Sequence, residues 1–244
     1  MSDSLLAILH LCDSLFPVGT FAYSDGLEAA VRLAPADFPR ASPAAVEEVA
    51  GTTDVVDFLR EWMDVTLAEP IGRLDGPAVW SAWRACTEED WVALAALDED
   101  LTALRPSLAA RRSIRAVGLR LLNTWTVLHP DARLERVLAH ARAGPLAPTL
   151  PVAFAVVCAC AGLGRHESVA AFAYTRLAAA TSAAMRLLPI GQTDAHGLLA
   201  RALDRVPGIV DAIARRDARP ESFAPALDIA GMSQQYLYSR LFRS

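Results

Sequence analysis

Residues 150–163, LPVAFAVVCACAGL, are apolar on every side of a helical wheel. Such a run cannot lie at a surface, and it is too short to span a bilayer as a helix. It predicts a central buried helix, which other helices must surround. The rest of the chain carries those helices. Val55, Phe58, Leu59, Trp62 and Thr66 recur at helical spacing, and so do Ile114, Val117, Leu121 and Trp125. Strand-type alternation is not what dominates. We therefore expect an all-α fold: one compact domain over residues 1–244, with about ten helices and a C-terminal tail that docks.

Breakers punctuate the pattern. Ser4 to Asp13 reads as a short helix. Residues 33–52, with Pro35, Pro39, Pro43 and Gly51, read as a flexible insertion. Pro70 and Gly72 are expected to end the helix that starts at Thr53, and Gly76-Pro77 to start the next. Thr87 reads as a cap with Glu88, Glu89 and Asp90 in an acidic first turn. That reading suits Glu88 and Glu89 better than acid–base chemistry. Ser107 to Trp125, a helix capped by Asp131, and His166 to Leu188 follow. Gly118 inside a helix costs about 1 kcal/mol relative to alanine, a cost that close approach of another helix would justify. Thr193 is expected to cap a helix ending at Leu203, and Pro207 to open another. Residues 217–227 read as a linker.

Net charge is −5, and all 23 basic residues are arginine. Residues 37–100 hold fifteen acids against four arginines, and residues 101–244 hold eighteen arginines against nine acids. Either the two parts neutralise each other in one fold, or they serve different partners. The arginines of the Ser107–Trp125 segment lack aromatic interleaving and a nucleic-acid motif, so no nucleic-acid partner is expected. Cys12, Cys86, Cys158 and Cys160 form no disulfide or zinc spacing. Cys158 and Cys160 would face different ways on a helix. The first residues carry no secretory pattern. A cytoplasmic protein without a membrane segment is expected. No HExxH, P-loop, GxGxxG or nucleophile elbow is present, and the five histidines are scattered. Nothing in the sequence spells an active site, so the chain is not read as an enzyme, and neither a catalytic nor a metal-ligating set is assigned.

One stretch departs from the alanine-rich helical background. Residues 13–28, DSLFPVGTFAYSDGLE, break the chain at Pro17 and Gly19. They cluster Phe16, Phe21 and Tyr23, then place Ser24 as an N-cap before a new helix, with Glu28 in its first turn. The last residues, 236–244, carry Tyr236, Tyr238, Leu241, Phe242, Arg240 and Arg243. A chain end so rich in anchors is built to dock, in cis or on a partner.

Three motifs in order carry a resemblance. Ser14, Pro17, Gly19, Phe21, Ser24, Gly26, Leu27 and Glu28 resemble the opening signature of the urease accessory protein UreF family. Leu187 to Gln192 is similar to the family's late Pro-x-Gly-Gln turn. Tyr238 to Ser244 resembles its C-terminal tail. The resemblance implies an all-helical homodimer, with no cofactor of its own, that helps mature nickel urease. It implies bridging of a UreD-type protein (also called UreH) and the GTPase UreG, so that nickel and GTP are handled by the complex that acts on apo-urease. The motif residues implied to meet partners are Gly19, Phe21, Ser24 and Glu28; Arg186, Gly191 and Gln192; and Tyr238, Arg240, Leu241, Phe242 and Arg243. Tyr23 and Tyr236 are added as neighbouring aromatics, and Tyr238 and Arg240 are the expected interface anchors. The chain departs from the family at Gln234-Gln235, where a His-Glu pair is usual, and at Thr20. A second class remains open: a regulator of the partner GTPase, using Arg186 or Glu28. An independent helical enzyme is a third and weaker reading.

Overall fold

The computed structural model describes residues 2–17, 23–34, 53–144 and 146–242. Gly19, Thr20, Phe21, Arg243 and nearly all of the expected insertion at 33–52 lie outside the described residues. The described part is all-α and forms one body. The helices are α1 (Ser2–Cys12), α2 (Leu27–Leu33), α3 (Thr53–Thr66), α4 (Gly76–Thr87), α5 (Trp91–Ala103), α6 (Leu108–Leu128), α7 (Ala132–Ala143), α8 (Leu150–Cys160), α9 (Arg165–Leu187), α10 (Gln192–Arg216) and α11 (Pro225–Ser233).

The apolar run forms α8 at the centre, and every residue from Leu150 to Ala159 is buried. Helices α4, α6 and α9 pack around it, and α10 lies along α9. Gly118 is where α6 meets the entry to α8. A Cβ there would stand 2.3 Å from the Pro148 carbonyl oxygen and 2.6 Å from the Thr149 carbonyl carbon. The close approach is thus to the backbone leading into α8. Asp98 on α5 holds the same entry: its buried carboxylate accepts the N–H groups of Ala147 (3.1 Å) and Thr149 (2.8 Å).

Several expectations need correcting. The break at Pro70 and Gly72 does not occur. The chain continues from α3 through nine residues of π-helix, Leu67–Asp75, straight into α4. A wider turn changes which carbonyl each N–H meets, so a residue without an N–H is accommodated. The fully buried stripe is Val55, Leu59, Met63 and Leu67, while Phe58 and Trp62 stack on each other at its flank. Thr87 closes α4 by donating back to the Trp83 carbonyl, and Asp90 caps α5 through Ala93 N–H. Glu89 sits in the left-handed turn between them (φ +54°) and pairs with Arg136. Pro207 opens no helix, because α10 runs through it, held by buried Val206 and Val210 on either side. Residues 225–233, partly read as linker, form α11.

The two charged parts are partly paired with each other within the fold. Arg105 pairs with Asp75, Arg136 with Glu89 and Arg205 with Asp64, so arginines of the basic part meet acids of the acidic part. His10 belongs to an aromatic cluster, with ring centres 5.1 Å from Phe16 and 5.8 Å from Trp125. Among the described residues, no helix is long and apolar enough to cross a membrane.

Candidate functional site

The opening and closing sequence motifs meet at the N-terminus of α2. Gly26 precedes the helix with φ +92°, and a Cβ there would stand 2.8 Å from the Gly231 nitrogen of α11. Glycine is required both by this dihedral and by this contact. The helix therefore starts at Leu27, two residues later than a Ser24 cap implies. Ser24 still serves it: its buried hydroxyl accepts the Glu28 N–H (3.4 Å) and donates to Gln234 Oε1 (3.2 Å).

Glu28 lies in the first turn, as expected, but its carboxylate does more than complement the helix dipole. It is fully buried and accepts three hydrogen bonds. Leu241 N–H donates to Oε1 at 2.7 Å, while Phe242 N–H (3.1 Å) and Gln234 Nε2 (3.3 Å) donate to Oε2. A buried carboxylate is tolerable only when its lone pairs are met. Here backbone from the other end of the sequence meets them. Phe242 is itself buried, and the Arg186 guanidinium carbon lies 4.3 Å from its ring centre. That is cation–π distance.

The closing segment is thus docked in cis, through its backbone and one phenylalanine. The latch leaves other anchors outside. Tyr236, Tyr238 and Leu241 are 81%, 107% and 50% exposed, and Arg240 is exposed as well. Phe223 and Ile229 nearby are also exposed. Tyr23 is half-buried against the core and lines a cleft beneath α11. Gly191 and Gln192 sit exposed at the start of α10, and no hydrogen bond among the described residues brings them to the latch.

Gln234 is the residue that sequence reasoning undervalued. It counted as a lost ligand where the family has a His-Glu pair. In the fold it is fully buried and ties Ser24 to Glu28. An amide can donate and accept at once, which suits a position between a hydroxyl and a carboxylate. Among the described residues, no group of three or more His, Cys, Asp or Glu is arranged to hold a metal ion.

These features define an all-α domain whose most exposed aromatic side chains ride on a segment latched to its own N-terminal region. The comparisons narrow that class. The UreF family model matches residues 56–203. A urease accessory protein UreF of Polaromonas sp. is 31% identical over 99% of this chain and 95% of its own length. Those of Methylibium petroleiphilum and Arthrobacter sp. are each 30% identical, over 99% and 98% of this chain and 94% and 96% of their own lengths. The chain belongs to the UreF family of urease accessory proteins.

Proposed function

We propose that this protein is a non-catalytic adaptor in urease maturation. It joins a UreD/UreH-type protein and a UreG-type GTPase, and the assembly passes nickel, as cargo, to apo-urease. The observation that carries this reading is the latch at Glu28. It fixes the backbone of residues 241–242 while Tyr238, Arg240 and Leu241 face outward. Ordering the segment in advance lowers the entropy cost of binding a partner, and tyrosine and arginine are the commonest interface anchors.

Self-association is part of the same reading. Leu5, Leu6 and Leu9 of α1 are exposed. Beside them a groove of about 970 Å³ is lined by α1 and by Tyr174, Ala178, Ser182 and Met185 of α9. An apolar face of this kind suits a second copy.

The GTPase-regulator reading receives less support. Arg186 is engaged with Phe242 rather than presented as a finger, and Glu28 is spent on the closing segment.

Size-exclusion chromatography with light scattering tests the adaptor. The protein alone should run as a dimer. With UreD-type and UreG-type partners, GTP and nickel it should form a larger complex, which Tyr238→Ala and Arg240→Ala weaken. No complex under any of these conditions would sink the adaptor. A rise in GTP turnover that depends on Arg186 would favour the regulator.

A further inference from the structure

The later turns of α4 lie against the exit of α8 in a regular register. The Arg165 Nε–H donates to the Trp80 carbonyl at 2.7 Å, and the Trp83 indole N–H donates to the Leu163 carbonyl at 2.9 Å. As α4 runs forward, its partners run back toward α8. The next step of this ladder brings Cys86, in the last turn of α4, to Cys160, the last residue of α8, and their thiols hydrogen-bond to each other. The sequence spacing of the cysteines gave no sign of this pair.

The two thiols have different surroundings. Cys86 is fully buried, whereas Cys160 is partly open to solvent. The Cys160 sulfur is also within hydrogen-bond reach of the Asp131 carboxylate, which Arg133 Nη2 holds at 3.0 Å. The hydrogen bond from Cys160, aided by the charge of Arg133, pulls the Cys86 thiol below its usual range in spite of burial. The same bond, together with burial, pushes the Cys160 thiol up. Of the two, Cys86 therefore ionises first, and a thiolate is the reactive form. Burial alone pushes Cys12 up to about 11 and leaves it inert.

We propose that Cys86 and Cys160 form a reversible redox site, which glutathione disulfide converts to an internal disulfide joining the end of α4 to the end of α8. The Cys160 sulfur, the one a solute can reach, attacks one sulfur of glutathione disulfide. That S–S bond breaks, and one glutathione thiolate leaves and takes a proton from water. The Cys160 proton passes along the hydrogen bond to the Cys86 thiolate. The Cys86 sulfur then attacks Cys160 in the mixed disulfide, the new S–S bond forms, and the second glutathione leaves with the Cys86 proton. The pair is oxidised, and glutathione disulfide is reduced to two glutathiones.

Thiol counting on the full chain tests this. Reduced protein is equilibrated with glutathione disulfide, alkylated in denaturant and weighed by mass spectrometry. All four cysteines should be alkylated before oxidation and two after it. A non-reducing peptide map should join the segments that hold Cys86 and Cys160. Excess glutathione should restore all four thiols, and the oxidised chain should melt at a higher temperature. Cys160→Ser, at a partly exposed helix end, should keep the wild-type circular dichroism spectrum and show three alkylatable thiols before and after oxidation. Cys12→Ser should still form the link. Four free thiols after oxidation, a link through Cys12 or Cys158, a link between two chains, or loss of thiols in Cys160→Ser would each overturn the proposal.

Discussion

The Arg186 guanidinium carbon sits 4.3 Å from the centre of the Phe242 ring. One residue closes α9 and the other lies in the closing segment, so the contact holds that segment in addition to its backbone bonds to Glu28. Two independent interactions converge on Phe242: an acceptor for its N–H and a cation over its ring.

Removing the acceptor should release the segment. Glu28→Ala removes the acceptor of three donors, those of Gln234 and Phe242 buried, and a buried donor costs about 1–3 kcal/mol when unsatisfied. We expect a loss of about 2–4 kcal/mol in urea unfolding. Amide exchange at Leu241 and Phe242 should become fast while α8 stays protected. Protection of those two amides in the variant would show that Glu28 is not what holds them.

The outward residues should behave in the opposite way. Tyr238→Ala and Arg240→Ala touch no core, so their melting curves should match the wild type within about 0.5 kcal/mol. Partner affinity should fall more than about tenfold in each. Smaller losses in both would move the interface elsewhere.

Gly118→Leu should be among the most damaging single changes. A Cβ at this position meets backbone at 2.3 Å, and backbone cannot rotate away. Overpacking typically costs about 1–3 kcal/mol, and we expect the upper end or beyond. Alanine already supplies the offending atom, so Gly118→Ala should be destabilising too, despite its better helix propensity. A variant that folds with wild-type stability would refute the close approach.

Asp217 should contribute to the acid arm of stability. Hydrogen bonds from Arg84 and Trp80, and the charges of Arg84 and Arg165, hold its carboxyl below the usual range. A depressed folded value gives stability that is present above the unfolded value of about 3.9 and lost as pH falls through the folded one. Asp217→Asn should therefore flatten the fall in melting temperature below about pH 4 and lower stability at neutral pH. Asp98 has the opposite sign. Burial raises its carboxyl, so its proton-linked contribution is greatest at low pH and fades as pH rises through the folded value. An unchanged acid arm in Asp217→Asn would contradict this assignment.

The helical core was legible because its signals are local. The all-round apolarity of residues 150–160 and the Asp131 cap are written in adjacent residues, and Arg133 N–H meets that cap; Ser107, read as the first residue of its helix, proves to be its cap through Ala110 N–H. The prolines misled because proline reports a missing N–H, not what a neighbouring turn can do about it. At Pro70 the turn widens, and at Pro207 buried valines carry the helix across. The latch was half legible. Its ends were marked as motifs, but their pairing spans 213 residues and leaves no periodic trace. Gln234 was hardest to read, since its value lies in donating and accepting at once in a place that only the folded chain creates.

That same span gives Glu28 a place in time. During synthesis α2 emerges early, whereas Leu241 and Phe242 are made 213 and 214 residues later. At about 5–20 residues per second the carboxylate waits on the order of ten to forty seconds for its acceptor role to be filled. Until then burial of the carboxylate lacks these donors and opposes the apolar packing of Leu27, Ala29 and Val31. A chain that stops short of residue 241 leaves the Glu28 carboxylate without two of its three donors. Full satisfaction of this one buried carboxylate thus waits on the arrival of residues 241 and 242.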